Sequence, residues 1–380
     1  MSERFDVVVV GGGPSGAATA IALARAGRTV AVVERSHYDQ VRIGETLPPR
    51  AQLPLIQLGV WERFLNEGHA PSPAILSAWG QEELYENHFI FHPYGHGWHL
   101  DRRRFDAMLA RVAEEAGARV YRGAQVMTCL PLASHGWQVE FTSDGARSSL
   151  QASLMVNAAG RAAMSGCWQG ARRIFYDRLL GVVGFFAPPS VGRALDYQTL
   201  VEAVEDGWWY SAWLPTAQLV VAYMTDADLM LHGRGRVRAY WQRRLRQAPL
   251  TWARVSSCTL EAGLRRFAAN SYRRERMTGT HWLAVGDAAT AFDPLSSHGI
   301  CHALESGLWA ALAIENWQAG DPTALEQYAL WTRTSFDEYL RLRTMYYGRE
   351  QRWPSAAFWQ RRQNEYRSVP DRPRSTARLG

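Results

Sequence analysis

Residues 5–10, Phe-Asp-Val-Val-Val-Val, form an unbroken β-branched run, the pattern of a strand buried on both faces. Gly11 to Gly16 interrupt it, and the small apolar residues that follow, up to Gly27, predict a helix with a glycine stop. Residues 29–35 read as a second buried strand, so the chain opens with a strand–helix–strand unit. A looser stretch rich in proline and glycine runs to about residue 75. Helix and strand return over 100–123, and residues 136–143 and 153–160 read as strands. The pattern then changes. Residues 183–189, 199–205, 207–215 and 218–226 are short strand-like runs separated by turn signals, which predicts an antiparallel meander followed by a basic helix over 234–247. A buried run ending in glycine reappears at 281–300, and 299–318 and 323–350 predict helices. The Pro- and Arg-rich tail from Ser368 predicts disorder.

These runs predict an α/β chain in which a Rossmann-type nucleotide-binding domain is interrupted by an antiparallel-sheet domain, with a cleft between them and a helical C-terminal segment. Ordinary globular composition (47% hydrophobic, 21% charged) excludes fibrous and largely disordered chains. No apolar run reaches about 18 residues, so no membrane-spanning helix is expected. The early glycines break the apolar run that a signal peptide needs, which points to a cytoplasmic protein. The net charge is +6, yet all 42 basic residues are arginine, so any chemistry needing a side-chain primary amine is excluded. Arginine is spread along the chain with no basic stripe, so no nucleic-acid partner is expected. Cys129, Cys167, Cys258 and Cys301 lie far apart and read as thiols of a reducing compartment.

Gly11-x-Gly13-x-x-Gly16 stands between a predicted strand and a predicted helix, the context in which this motif binds a dinucleotide. Gly11 allows the tight turn, Gly13 lets the backbone approach a pyrophosphate, and Gly16 lets helix and strand pack closely. Pro14 and Ser15 open the helix, whose free N–H groups and positive dipole end face the phosphates. Glu34, with Arg35 beside it, ends the second strand where a carboxylate accepts hydrogen bonds from a ribose. A 2′-phosphate would be repelled there, so FAD or NAD is favoured over NADP.

Far downstream, Leu283-Ala284-Val285-Gly286-Asp287 follows another short strand, and Asp293-Pro294-Leu295-Ser296-Ser297-His298-Gly299-Ile300 leads into a helix. With the first motif, this arrangement resembles the FAD-dependent aromatic-ring hydroxylases. The resemblance implies that Asp287, after Gly286, holds the ribityl chain of FAD. It also implies that the helix beginning at Pro294–Ile300 points its positive end at the flavin pyrimidine. Within that class, Ile43-Gly44-Glu45-Thr46-Leu47-Pro48, Gly97-Trp98-His99-Leu100-Asp101-Arg102 and Gly207-Trp208-Trp209-Tyr210-Ser211 resemble one branch in particular. It contains tryptophan halogenases, geranylgeranyl reductases and the LodB-like flavoprotein maturases of tryptophylquinone amine oxidases. The resemblance covers roughly residues 4–320. It implies that Glu45 and Arg102 lie by the cofactor and that the backbone near Val126 holds the adenine; Arg102 could equally be a surface arginine of its helix.

The resemblance implies a monooxygenase that uses FAD and O₂, through a flavin C4a-hydroperoxide, to hydroxylate an electron-rich aromatic. The expected substrate is an indole, either a tryptophan of a partner protein or peptide or a small natural-product ring. Halogenases of the branch need a lysine between flavin and substrate, and this chain has none. The alternatives are a reductase of prenyl-type chains and a flavin-bound docking protein without turnover. Residues 156–161 lack the Asp-Gly pair that many hydroxylases of the class carry there, so the electron donor is left open between NAD(P)H and a separate reductase.

On a strand, Trp209 and Trp213 share one face and Trp208 and Tyr210 the other. One pair could wall a ring-shaped pocket, with Trp209 the chosen candidate; core packing is the alternative. His298, at the start of the flavin-side helix, is the candidate proton donor, and His99 or His96 is expected near substrate. His88, His92, His96 and His99 are close in sequence, but Pro93, Gly95 and Gly97 forbid a helix that would align them, so no metal site is expected. Residues 1–75, 101–168 and 276–320 are assigned to the FAD-binding part and 76–100 and 169–275 to the substrate part. Residues 321–367 form the helical segment, a docking helix, a lid or a solvated helix with apolar anchors, and 368–380 a disordered tail.

Overall fold

The initial β-branched run becomes the strand Glu3–Val10, third of five parallel strands whose pairing is set by burial on both sides. The computed structural model describes residues 3–133, 136–162, 172–189, 195–231, 237–261 and 263–367. Val7 pairs with Leu154 on one side and Val30 on the other, so Glu3–Val10 lies between Ala146–Asn157 and Val30–Val33. Trp282–Ala284 and Arg119–Tyr121 extend the sheet in parallel, and Trp137–Ser143 pairs antiparallel with the long strand Ala146–Asn157. Alternate valines serve opposite faces. Val7 and Val9 pack under the helices Pro14–Arg25, Arg102–Glu115 and Gly299–Gln318, while Val8 and Val10 pack with Val139, Phe141 and Met155. Cys129 and Cys301 are buried and Cys258 is half-buried; Cys167, like the tail from Ser368, lies outside the described residues. No described helix is long and apolar enough to cross a membrane.

The second sheet follows the expected meander in part. Thr199–Val204, Gly207–Trp213 and Leu219–Asp226 are consecutive antiparallel neighbours. The first predicted strand, observed as Leu179–Ala187, instead lies beyond Leu219–Asp226, register Val183 with Ala222. Every residue of Leu219–Asp226 is buried, so it cannot be an edge, and Leu179–Ala187 supplies its second neighbour. At the other side Thr199–Val204 pairs in parallel with Ala74–Ala78, which pairs with Tyr85–His88. The strand part of 76–100 therefore starts at Ala74. Gly97–His99 leaves this sheet and pairs with Thr46–Leu47 and Ala70–Ser72.

The strand alternation separates the tryptophans as predicted. Trp208 packs with Phe358 and Trp359 on one face, and Trp209 and Trp213 with Trp241 on the other. The C-terminal segment is neither a solvated helix nor a free lid: it is the cover of the Trp208 face. Phe358 and Trp359 are fully buried, and Trp359 Nε1 donates to the Val204 carbonyl at 2.9 Å. Arg362 is buried against Asp226 at 2.8 Å, where removing either partner would strand a buried charge. Glu350 accepts from the Gly80 amide at 2.7 Å. An apolar sheet face needs a lid of similar chemistry, and the helices Ala324–Arg349 and Ala357–Arg367 provide it. The basic helix is observed over Val237–Arg246; residues 232–236 lie outside the described residues.

Trp359→Ala is expected to cost about 3–5 kcal/mol in urea unfolding, whereas Trp309→Ala, at a half-exposed position of Gly299–Gln318, stays within about 0.5 kcal/mol. Equal losses would contradict the C-terminal helix being part of the core.

Candidate functional site

The turn after the first strand is built by exclusion. Gly11 has φ +106°, and a Cβ there would meet the Ala158 carbonyl oxygen at 2.3 Å. A Cβ on Gly16 would stand 1.9 Å from the Gly11 oxygen. Both glycines exist to let strand, turn and helix touch. Gly13 differs: its Cβ would point at open space, with only Arg42 Nη1 at 4.0 Å. Gly13 is also the N-cap of Pro14–Arg25, with no side-chain cap and Pro14 in the first turn. The helix therefore presents uncapped N–H groups to the space beside Gly13.

That space is a cavity of about 920 Å³, near the upper end for small-molecule sites. Gly11, Gly13, Pro14 and Ser15 line it at one wall, with Glu34 and Arg35 beyond them and Val126 at the same end. Glu45 and Arg102 line it too, as do Asp287, Pro294, His298, Gly299 and Ile300. Gly16 and Gly286 lie just behind the lining. Gly286 has φ +54° and touches Ser15, where a Cβ would fall 2.7 Å from Ser15 Oγ. Two glycine motifs about 270 residues apart in sequence are thus in contact.

The charged wall is an alternating chain. Glu34 accepts from the Gly12 amide at 2.7 Å, Ser36 Oγ at 2.6 Å and Arg42 at 2.8 Å. Burial works to raise its pKa, but Arg42 with these hydrogen bonds holds it below the usual carboxylate range. Arg42 also pairs with Asp106 at 2.9 Å, and Asp106 with Arg102 at 3.1 Å. Arg102 in turn donates to the carbonyls of Ile43 and Gly44, 3.0 Å each. It therefore clamps the segment that carries Glu45.

Glu45 is buried, and its Oε1 has no hydrogen-bond partner among the described residues. Burial pushes its carboxyl up to about 7, against the opposing charge of Arg102 and the Gly44 and Glu45 amides. An orphaned buried oxygen on a cavity wall is a partner-seeking group. With the uncapped Gly13 helix and the ionised Glu34, it makes a donor and acceptor set that fits FAD, the phosphates at Gly13–Ser15 and the ribose at Glu34.

Asp287 is bonded to Arg161 Nε at 3.1 Å, and Arg161 also holds the Phe292 and Asn270 carbonyls. Asp293 is buried, bonded to Tyr347 OH at 2.8 Å and facing Arg343; burial raises its pKa. Its Oδ1 accepts from the Leu295 amide and starts the turn that leads to Gly299–Gln318. His298, the N-cap of that helix, stacks with Phe292 at 6.0 Å, and its pKa is lowered by burial.

The sheet domain contributes Tyr210, Val220, Ala222, Met224 and Phe267. Tyr210 OH is 2.6 Å from Thr46 Oγ1, a bond that joins the sheet to the Glu45 segment. Tyr210, and not Trp209, therefore reaches the cavity; Trp208, on the same face as Tyr210, does not line it and packs beneath Phe358 and Trp359. Trp209 does not line it: its ring is fully buried, stacked on Tyr223 at 4.7 Å and edge-on to Trp241 at 5.2 Å, on the opposite face. His99 does not line it either. Both ring nitrogens are satisfied at 2.8 Å, by the Trp213 carbonyl and Thr199 Oγ1, and burial lowers its pKa to about 4. It pins the small sheet to the large one. His96 meets Trp98 edge-on, also outside the lining. Sequence reasoning missed Arg42, Arg161 and Tyr210 as wall residues; Tyr210 alone was signalled, by strand parity.

Residues 4–330 match the family profile described as an FAD binding domain. The chain is 30% identical over 369 residues to the protein of Marinomonas mediterranea named as the FAD-dependent oxidoreductase LodB, spanning 95% of this chain and 97% of that one. It is 26% identical over 353 residues to tryptophan 2-halogenase of Chondromyces crocatus, spanning 90% of this chain and 67% of that one. Among solved structures, QhpG, the peptidyl tryptophan dihydroxylase essential for tryptophylquinone cofactor biogenesis, superposes with TM-score 0.79 and 26% identity over 97% of this chain and 80% of that one. The myxobacterial chondrochloren halogenase CndH shares the fold, with TM-score 0.88 at 24% identity over 95% of this chain and 86% of that one.

Two predictions follow from this geometry. Gly13→Val fills the space in front of the helix and is expected to purify without flavin, while wild type retains it; a yellow, stoichiometric variant would contradict the phosphate assignment. Glu45 has its folded pKa above its ordinary 4.5, so the stability its neutral form contributes is complete below that value and is lost as pH rises through about 7. The melting temperature of flavin-free Glu45→Gln should therefore gain on wild type between about pH 5 and about pH 8. A constant gap would mean that Glu45 is not desolvated.

Proposed function

The chain belongs to the FAD-binding-domain family of flavin-dependent oxidoreductases, and from that premise we propose that it is a monooxygenase whose substrate is an indole ring, carried on a tryptophan of a polypeptide. One observation carries the reading: a single cavity is bounded on one side by the dinucleotide motif and on the other by the apolar wall of Tyr210, Val220, Ala222, Met224 and Phe267. Cofactor chemistry and an apolar planar substrate would meet there without intervening protein. Similarity along nearly the full length of LodB, and to a structure named for dihydroxylating peptidyl tryptophan, supports the choice of ring and carrier. Halogenation is disfavoured because the chain has no lysine to stand between flavin and substrate.

FAD, when bound, would supply the activation of O₂, with NAD(P)H or a separate reductase as electron donor. The protein's own part is positioning and solvent exclusion. The uncapped helix at Gly13 holds the phosphates, Glu34 the ribose and Asp287 the ribityl chain. The N-terminus of Gly299–Gln318 opens on the cavity, where its positive dipole end would favour negative charge on a bound flavin. Small side chains at Val220 and Ala222 leave room for a flat ring, with Tyr210 fixed by Thr46. His298, neutral at physiological pH because burial lowers its pKa, carries an N–H for a hydrogen bond at the same end.

The test supplies FAD-loaded protein, a reductant, isotopically labelled O₂ and a tryptophan-containing peptide. Mass gain of labelled oxygen on the indole is expected. A halide-dependent product, or oxidation of flavin with no oxygen on any ring, would overturn the reading. Ala222→Phe should lower turnover by about 100-fold through ring misplacement with flavin retained; full activity would exclude this wall as the substrate side.

A further inference from the structure

One hairpin carries apolar surface that the fold leaves uncovered. Ile90 and Phe91 are 79% and 93% exposed, and Leu84 and Tyr85 beside them are 46% and 61% exposed. They flank Tyr85–His88, the last strand of the large sheet, whose outer edge pairs with no strand among the described residues. Folded proteins seldom leave an edge strand and bulky apolar side chains exposed together unless another chain covers them.

Charge says which kind of chain. Residues 64–101 contain no arginine, where the chain average would place about four. Of the acidic residues in this stretch, Glu67 is paired with Arg111 and Asp101 with Arg103. The Glu86 carboxylate is bonded to Gln198 and His88 and to no arginine among the described residues, and Glu82 and Glu83 are exposed without an ion pair among the described residues. The nearby Arg352 is already matched by Glu350. The hairpin is thus an anionic island on a chain of net charge +6. A second copy of this chain adding its own edge would bring glutamates against glutamates, which costs affinity. A cationic segment would be attracted.

Position relative to the cavity completes the case. The strand order Tyr85–His88, Ala74–Ala78, Thr199–Val204, Gly207–Trp213 puts the edge three strand spacings from the strand of Tyr210, about 14 Å. Roughly four residues of extended chain span that distance. On the other side, the hairpin returns through Phe89, which packs against Gly97, into the strand whose His99 lies opposite the cavity residue Thr46.

We propose that the Tyr85–His88 edge, with Leu84, Ile90 and Phe91, is the docking site for an extended, arginine- or lysine-bearing segment of the polypeptide that carries the substrate tryptophan. The segment adds to the sheet by main-chain hydrogen bonds, while its apolar side chains cover Ile90 and Phe91 and its cations meet Glu82, Glu83 and Glu86. This rests on the reading of a polypeptide-borne ring, yet it is tested separately from oxygen transfer.

The probe is a fluorescein-labelled twelve-residue peptide with one tryptophan and alternating arginines, compared with the same peptide carrying glutamates instead. Anisotropy is read on the FAD-loaded protein and on the Ile90→Ser/Phe91→Ser double variant, whose exposed positions leave the fold intact. The arginine peptide should bind wild type at least ten-fold more tightly than either the glutamate peptide or the variant, with affinity falling as salt rises. Oxygenation of free indole should be equal in wild type and variant. Equal binding of both peptides, equal binding to both proteins, or a wild-type dimer that the double substitution dissolves would overturn the docking site. Failure of wild type to oxygenate any ring, with peptide binding intact, would overturn the catalytic reading alone.

Discussion

The close approach of two helices governs the site. Pro14–Arg25 and Gly299–Gln318 come from opposite ends of the chain and meet where Gly307 has no room for a side chain. A Cβ on Gly307 would fall 2.5 Å from the Ser15 carbonyl oxygen, and one on Gly286 would strike Ser15 itself. The Gly286 amide donates to Ser306 Oγ at 2.9 Å, tying the second motif to the second helix. Packed this tightly, both helices open at one cavity, and their dipoles bear on the same enclosed volume. Everything else lines or closes the space that this contact defines.

Around it, charges are arranged so that the backbone is held and the cavity is left chemically open. Glu34, Arg42, Asp106 and Arg102 neutralise one another in sequence and lock residues 42–45 against the helix Arg102–Glu115. Buried ion pairs of this kind are weak sources of net stability, and their value here is geometric. At the other end Asp293 is locked by Tyr347, which also accepts from Trp208 Nε1 at 3.0 Å. The flavin-side turn is therefore fastened to the C-terminal helices that cover the sheet. Removing that cover would loosen the substrate wall and the cofactor turn together.

The dinucleotide end was legible because its signals are local. Three glycines between a strand and a helix, and an acid at the end of the next strand, need no tertiary information. The helices at 299–318 and 323–350 were legible from periodicity, to within a residue at each end. What escaped was set by long-range contact. Trp209 and Tyr210 are adjacent in sequence, and parity separates them correctly, but which face meets the cavity depends on where Trp241 and Trp359 dock. His99 looked chemically available because nothing in its neighbourhood announces that Trp213 and Thr199, 114 and 100 residues away in sequence, occupy both ring nitrogens. Arg42 and Arg161 were hidden by abundance: in a chain with 42 arginines, a single one carries no signal until its carboxylates are seen.

The most direct test is a crystal structure of the protein grown with FAD. The diphosphate is expected within hydrogen-bond reach of the Gly13–Ser15 amides and the isoalloxazine at Pro294–Ile300, with the substrate wall of Tyr210 and Ala222 facing its ring. An occupied cavity with the cofactor reversed, or full FAD density elsewhere on the protein, would contradict the shared-cavity account.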